Sequence, residues 1–323
     1  MDNSNISEEE MISKIQANKP RLKLSSVKSY ISKLKNINKQ LGNENLLDLS
    51  PLTDKSIIDE FIKDKSFNTQ KTYYGTVVSL LKSLQDDDEF DKVIREYQKD
   101  MQKYMKEAQA KEEEQKKTEK QDKNWATLEE LRGVIDDIKN NVDSKGLFSK
   151  EELSKKEFHE IQKYIVGSLY LADIHNNPPL RLDYAPMRIM HIEEYKADPP
   201  KENALVIVNK NKKFFELVDY KTKETYGIKN YVVGETLNKI LNKWLKVNKS
   251  KYLLLNNNDK PMQGVDLSKL IMRIFEPLNK KIGVSLLRHI VISQLYPADL
   301  KARMRTAELM GHSVAQQFLY AKK

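Results

Sequence analysis

A highly charged segment divides the sequence into two regions that have apolar patterning. The segment spans residues 106–124, KEAQAKEEEQKKTEKQDKN, and contains almost no apolar side chains. Such a stretch cannot contribute to a core, so we expect it to extend a helix into solvent and then to form a linker. A chain of 323 residues is long enough for two domains with cores of their own. The sequence therefore predicts one domain over residues 1–105 and a second over residues 125–323.

Both domains are expected to be mainly helical. In residues 25–104, apolar side chains recur at helical spacing in four segments with short connections, which is typical of a small helical bundle. Helical periodicity resumes after Thr127, a candidate helix cap. Three short runs rich in β-branched and aromatic residues then predict a small antiparallel β-sheet: ALVIV (204–208), FFELVDY (214–220) and YGIKNYVV (226–233). The predicted fold class is therefore α+β, mainly α.

Composition narrows the class of protein. The net charge of +9 favours polyanionic partners, and most of the cations are lysines. The few arginines are better candidates for sites that need a planar, permanent charge. The absence of cysteine excludes disulfides, thiolate catalysis and cysteine zinc sites, and is typical of an intracellular protein. The sequence has no run of eighteen apolar residues, so it predicts no membrane span. The acidic MDNSNISEEE start is unlike a secretory signal.

The last forty residues contain side chains suited to chemistry at phosphorus. They hold the pair Arg288-His289, a turn at Gly311-His312-Ser313, and Tyr320 eight residues after the second histidine. Fixed cations can bind phosphate oxygens, an imidazole can donate a hydrogen bond or handle a proton, and a tyrosine hydroxyl can act as a nucleophile. Taken alone, each of these residues could also be an ordinary core, capping or surface residue.

Two upstream residues could belong to the same site. Arg181 lies in NNPPLRLDYAPM, where the prolines predict the start of a helix with Arg181 just inside it. Its guanidinium could hold a phosphate through two parallel hydrogen bonds, or it could be a surface arginine paired with Asp183. Lys221 lies in DYKTKETYG on the predicted hairpin, where a lysine is usually only solvated.

These elements together resemble the tyrosine recombinase (phage-type integrase) family. PPLR with DY, LLRH, and MGHS followed by a tyrosine resemble in particular its divergent members from large DNA viruses and virophages. The resemblance covers residues 125–323 and implies a catalytic domain there. It implies a helical core-binding domain over residues 1–105, with both domains closing around a DNA duplex.

The resemblance also implies a role for each site residue. Arg181 and Arg288 would hold the non-bridging phosphate oxygens, and His312 would add a third hydrogen bond. Tyr320 would attack phosphorus and form a 3′-phosphotyrosyl link. Lys221 would protonate the departing 5′ oxygen. No metal, ATP or other cofactor is expected.

Several positions depart from the family pattern. Ser285 stands where the second arginine box usually has histidine, and serine can hold neither a positive charge nor a proton-transfer role near neutral pH. His289 follows the second arginine, as in many members, and we expect it to be packed and hydrogen-bonded. Lys223 competes with Lys221 as the proton donor. Tyr184 lies three residues after the first arginine, where an acidic residue is usual.

The expected function is site-specific recombination or integration of double-stranded DNA through a phosphotyrosyl intermediate. The resemblance implies a tetramer on two synapsed duplexes and no membrane partner. Since three residues follow Tyr320, we expect protomer contacts to come from elsewhere than a carboxy-terminal tail. The expected location is intracellular at DNA, either a viral replication site or a host nucleus. A type IB topoisomerase-like enzyme and a catalytically impaired DNA-binding protein remain the alternatives.

Overall fold

The computed structural model describes residues 6–20, 22–84, 90–295, 300–311 and 313–321, excluding the side chains of 111–112 and 300–303. The chain divides into two compact units, Met1–Glu114 and Gln115–Lys323. Within the described ranges, no helix is long and apolar enough to cross a membrane.

The amino-terminal unit is a helical bundle. Its core consists of buried aliphatic and aromatic side chains from successive helices, among them Ile31, Leu34, Val77 and Tyr97. The hydroxyl of buried Tyr97 donates to the carbonyl of Leu52 at 3.0 Å, so its polar end is satisfied inside the core. The helices are α1 Glu8–Asn18, α2 Leu24–Leu41, α3 Lys55–Ile62, α4 Phe67–Leu84 and α5 Asp91–Glu113.

The charged segment contains more helix than its composition predicts. Helix α5 extends to Glu113, as expected for a solvated helix. A further helix, α6, spans Glu119–Asn124. Thr118 and Gln121 form a reciprocal capping box at the start of α6, which satisfies two backbone N–H groups that would otherwise lack partners. Local capping, rather than apolar periodicity, explains this helix.

The second unit packs helices around a small sheet. Its core joins buried aromatic and aliphatic residues of both, including Trp244, Phe215 and Leu287. The helices are α7 Leu128–Ser144, α8 Lys155–Leu171, α9 Ile192–Ala197, α10 Lys223–Tyr226, α11 Glu235–Val247, α12 Gly264–Ile274, α13 Val284–Leu295, α14 Leu300–Leu309 and α15 Val314–Tyr320. The strands are β1 Arg188–His191, β2 Ala204–Ile207, β3 Lys213–Leu217 and β4 Lys229–Val232.

The mainly helical α+β class predicted from the sequence is confirmed, but the sheet differs from the prediction. It has four strands in the order β1-β2-β3-β4. The three expected strands are antiparallel neighbours, whereas β1 adds to β2 in parallel, which makes the sheet mixed. The sequence of β1, RIMH, is too short to show an alternating pattern, and pairing with β2 is what makes it a strand.

Candidate functional site

Arg288 is a buried cation in the helical core of the second unit. It lies on α13, where its neighbours Leu287 and Val291 are also buried, and its side chain is only 1% exposed. None of its guanidinium nitrogens, Nε, Nη1 or Nη2, has a hydrogen-bond partner within the described part of the chain. Arg288 also forms no ion pair with any described residue. The helix therefore holds five N–H donors in a place where water is excluded and no described acceptor meets them.

Burial without partners is unfavourable for a charged group. Removing a guanidinium from water costs several kcal/mol unless an anion or acceptors compensate. Burial accordingly lowers the pKa of Arg288, the charge of nearby Arg181 lowers it further, and Tyr320 and Asp183 act in the opposite direction. An anion bound beside Arg288 would relieve its desolvation and offset the repulsion from Arg181.

Tyr320 lies directly against Arg288. The ring of Tyr320, at the end of α15, has its centroid 5.5 Å from Cζ of Arg288, which is a cation–π distance. Helix α15 begins after Ser313, whose hydroxyl accepts from the backbone N–H of Gln316 at 3.1 Å. A capped start and packing against α13 thus place the tyrosine beside the buried arginine of its own chain.

His289 contacts the same tyrosine in two ways. Its ring stacks on the Tyr320 ring, with centroids 4.7 Å apart and planes inclined by 24°. Its Nδ1 lies 2.9 Å from the backbone carbonyl oxygen of Tyr320. Since a carbonyl oxygen can only accept, Nδ1 must carry the proton in this hydrogen bond.

Arg181 lies outside any helix, which contradicts the expected helix start. Residues 178–187 form an irregular segment of bends and turns before β1. Prolines at 178, 179 and 186 interrupt a regular hydrogen-bond ladder, and the Ala185-Pro186 peptide is cis. The backbone at Arg181 is instead held by side chains: Tyr170 donates its hydroxyl proton to the Arg181 carbonyl at 2.6 Å.

Asp183 supplies the acidic group of this segment. Its Oδ2 accepts from the backbone N–H of Arg181 at 3.1 Å, rather than pairing with the guanidinium. Burial raises the pKa of Asp183, while Arg181 and Arg288 act to lower it. Tyr184, which stands where an acidic residue is usual, is a core residue: its hydroxyl donates to the carbonyl of Leu169 at 3.2 Å. The buried acidic side chain of this segment is therefore Asp183, and position 184 contributes to the core.

Lys221 and Lys223 are both exposed and flank Thr222 in the connection between β3 and β4. The Thr222 hydroxyl donates to the Gly311 carbonyl at 2.9 Å, and Lys229 donates to the Glu308 carbonyl at 2.8 Å. The lysine-bearing connection is thereby attached to the turn that follows α14. These contacts do not distinguish Lys221 from Lys223.

Two predicted residues remain, Ser285 and His312. His312 lies outside the described residues. Gly311, just before it, has a positive φ of 64°, a conformation that glycine adopts without strain. Ser285 is exposed on the first turn of α13, whereas Arg288 is buried. Within the described residues, no group of three or more His, Cys, Asp or Glu side chains could hold a metal ion.

Two residues near this site were not predicted from the sequence. Tyr170 on α8 is fully buried and interacts electrostatically with Arg288. Gln317, one turn before Tyr320, is also fully buried, and neither atom of its amide has a partner among the described residues. In the sequence, the sign that Gln317 could be functional is a polar residue on the inward face of a short helix.

Comparisons with known proteins give structural neighbours only. No protein-family model matches the sequence, and no curated protein matches it. The chain is similar to the crystal structure of XerA recombinase, at 12% identity and a TM-score of 0.39, over 98% of this chain and 94% of that one. It is also similar to XerH site-specific recombinase bound to difH substrate in a pre-cleavage complex, at 14% identity and a TM-score of 0.48. That match covers 98% of this chain and 82% of the other.

Both neighbours are tyrosine recombinases, the family that the sequence resembles. Arg288 and Tyr320 are the two proposed catalytic residues that the structure brings into direct contact.

Proposed function

We propose that this chain is a tyrosine-type DNA strand transferase that acts as a site-specific recombinase or integrase. The observation that carries the proposal is the buried guanidinium of Arg288, which lacks described partners and lies 5.5 Å from the ring of Tyr320. A phosphodiester supplies the anionic oxygens that such a group lacks, and a tyrosine supplies the nucleophile.

The proposed reaction conserves atoms and protons. The hydroxyl oxygen of Tyr320 bonds to phosphorus while the bond from phosphorus to the 5′ oxygen breaks. The phenol releases one proton to solvent water, and the 5′ oxygen gains one from Lys221 or Lys223, which solvent then reprotonates. Arg181 and Arg288, with His312, stabilise the charge on the non-bridging oxygens, a role that a divalent ion has in other phosphoryl-transfer enzymes. Attack by a 5′ hydroxyl on the 3′-phosphotyrosyl link reverses the step, so no ATP is needed.

The proposed substrate is double-stranded DNA. We expect it to be bound mainly through its backbone phosphates, so that added salt lowers the binding affinity. The net charge of +9 supports a polyanionic partner. The XerH neighbour is a DNA-bound complex, and the same class of ligand is proposed here. Because α15 places Tyr320 beside Arg288 of its own chain, each protomer would cut with its own tyrosine, in a tetramer on two duplexes.

Trapping of a covalent adduct tests the proposal. The purified chain is incubated, without ATP, with a pool of nicked duplexes of randomised sequence whose cleaved end diffuses away. We expect a protein–DNA adduct that survives denaturation, and expect Tyr320→Phe to abolish it. The matched control is Tyr226→Phe, which removes the hydroxyl of an exposed tyrosine beside Lys223. An adduct of full yield from Tyr320→Phe would reject the assigned nucleophile.

The same assay separates the other functions. Duplex binding without any adduct from the wild-type chain would identify a catalytically impaired DNA-binding protein. Relaxation of supercoiled plasmid by a monomer, without defined sites, would identify a type IB topoisomerase-like enzyme.

A further inference from the structure

We propose that His289 is the positioning residue for the nucleophile: it holds the backbone and the ring of Tyr320 in register with the phosphate-binding arginines. The inference rests on the proposed strand transfer and adds a role for a residue that does not itself contact the phosphate.

Two independent contacts support this role. The hydrogen bond from Nδ1–H of His289 to the Tyr320 carbonyl, at 2.9 Å, fixes the end of α15. The stacked rings, with centroids 4.7 Å apart, fix the plane of the phenol. One contact constrains where the tyrosine backbone lies, and the other constrains how its side chain is turned about that backbone. Together they determine the direction of the hydroxyl.

The position of His289 on α13 makes these contacts relevant to catalysis. His289 is adjacent in sequence to Arg288, whose guanidinium carbon lies 5.5 Å from the centroid of the same tyrosine ring. One turn of one helix therefore holds both the proposed phosphate ligand and the proposed holder of the nucleophile. Because α15 has only seven residues, the helix alone is too short to fix its last side chain.

Two other contacts hold α15 but constrain Tyr320 less directly. Gln115 Nε2 donates to the carbonyl of Phe318 at 2.8 Å, and Ala321 packs against Ile292 and Met310. The Gln115 hydrogen bond ends on the backbone of Phe318, whereas the apolar cluster also packs against Tyr320 but gives it no hydrogen bond. His289 contacts both the backbone and the ring of Tyr320, so its loss should alter the nucleophile more than it alters the fold.

Paired substitutions separate the two contacts. His289→Asn keeps an N–H donor near the Nδ1 position and removes the stacked ring. His289→Phe keeps a stacked ring and removes the donor. His191→Phe is the matched control, since it replaces an exposed histidine on β1. The rate of adduct formation is measured at saturating DNA, beside the DNA dissociation constant and the thermal unfolding midpoint.

We expect both His289 variants to cleave about 10- to 100-fold more slowly, the range expected when a reacting group is misplaced by up to 1 Å. DNA affinity should change less than about twofold, since no DNA contact is removed. A duplex whose 5′ bridging oxygen is replaced by sulfur gives the discriminating result, because its thiolate leaving group needs no proton donor. That substrate should rescue Lys221→Ala or Lys223→Ala, whichever is the proton donor, but should leave both His289 variants slow.

Three results would overturn the proposal. Cleavage by both variants within about twofold of the wild-type rate would show that the contacts do not position the nucleophile. Rescue of the variants by the sulfur-containing duplex would place His289 in leaving-group protonation. Unchanged amide hydrogen exchange across residues 314–321 in both variants would show that His289 does not hold α15. The exchange measurement needs no DNA, so it tests the holding role even if the chain forms no adduct.

Discussion

Among its described residues, the second unit contains two buried cations, a lysine and an arginine, whose surroundings are opposite in kind. Lys213 on β3 and Arg288 on α13 are each only 1% exposed. The ammonium of Lys213 donates to three oxygen atoms: the Lys210 carbonyl at 3.1 Å, Asn238 Oδ1 at 2.7 Å and Asn242 Oδ1 at 2.6 Å. The guanidinium of Arg288 has no such acceptor among the described residues.

The difference supports a structural role for Lys213 and the phosphate-binding role that is proposed for Arg288. An ammonium has three donors, and the fold provides three acceptors, so Lys213 ties the turn between β2 and β3 to α11. Arg288 has more donors and a planar arrangement that suits a phosphate, but the fold leaves these donors without described acceptors. Burial lowers the pKa of both groups, yet only at Lys213 do described oxygen atoms meet the charge.

The largest expected effect is the loss of activity in Arg288→Met. This substitution removes the charge and keeps a flexible side chain of similar length, so we expect adduct formation to fall about 1,000-fold. Stability should be unchanged, or higher by about 1–4 kcal/mol, because an uncompensated buried charge has been removed. Suicide-substrate cleavage and urea unfolding measure the two quantities. A strongly destabilised Arg288→Met would instead assign the arginine a structural role.

We expect the opposite for Lys213→Met, which should lower stability and leave activity unchanged. Removing the ammonium leaves Asn238 Oδ1 and Asn242 Oδ1 without their donor, so the free energy of unfolding should fall by about 2–3 kcal/mol. The cleavage rate per folded molecule should remain that of the wild type, since Lys213 belongs to a different cluster. Urea unfolding and active-site titration with the suicide duplex check both statements. Equal loss of activity in the two variants would remove the contrast between the cations.

The contrast between Lys213 and Arg288 also shows what sequence patterns can predict. Helical periodicity predicted most of the bundle but not α1, a short helix whose signals are the Ser7 cap, three glutamates and the buried pair Met11 and Ile15 at helical spacing. Motif spacing selected Arg288 and Tyr320, which the structure places in contact. The number of donors and acceptors at each buried charge depends on tertiary neighbours from distant segments, so no sequence pattern could separate Lys213 from Arg288.

The segment around Arg181 was harder to predict for a related reason. The prolines predict the start of a helix, but the backbone there is fixed by side chains that lie up to twenty residues away, among them the Tyr170 hydroxyl and the Asn203 amide. Asp183 was considered only as an ion-pair partner, and its actual contact is with a backbone N–H. Such side-chain-to-backbone contacts depend on the fold and leave no periodic signal.

A smaller effect is expected from inorganic anions. Sulfate is a tetrahedral oxyanion, as a phosphodiester is, and carries two negative charges rather than one, so it should bind at the Arg181 and Arg288 site and stabilise the folded chain. The gain should be about 1.4 kcal/mol at a tenfold excess over the dissociation constant. Thermal unfolding in sulfate and in chloride at equal ionic strength measures it. Sulfate also stabilises proteins in general by exclusion from their surfaces. The relevant quantity is therefore the stabilisation of the wild type by sulfate beyond the stabilisation of Arg288→Met. Lys213→Met should retain this excess, and an equal response in all three proteins would argue against an anion site.

The smallest expected effect concerns the carboxyl group between the two arginines. Burial raises the pKa of Asp183 above its unfolded value, so the folded state binds this proton more tightly than the unfolded state does. The contribution of Asp183 to stability therefore falls as the pH rises from about 4, the unfolded pKa, through the higher folded pKa. Asp183→Asn keeps an oxygen that can accept from the Arg181 N–H and removes this titration. The variant should match the wild type below about pH 4 and be more stable than the wild type at neutral pH. Urea unfolding from pH 3 to 8 measures the difference. A variant that becomes less stable than the wild type as the pH rises would show that the ionised carboxylate compensates the arginines, and the site around Arg288 would then resemble the satisfied cluster around Lys213.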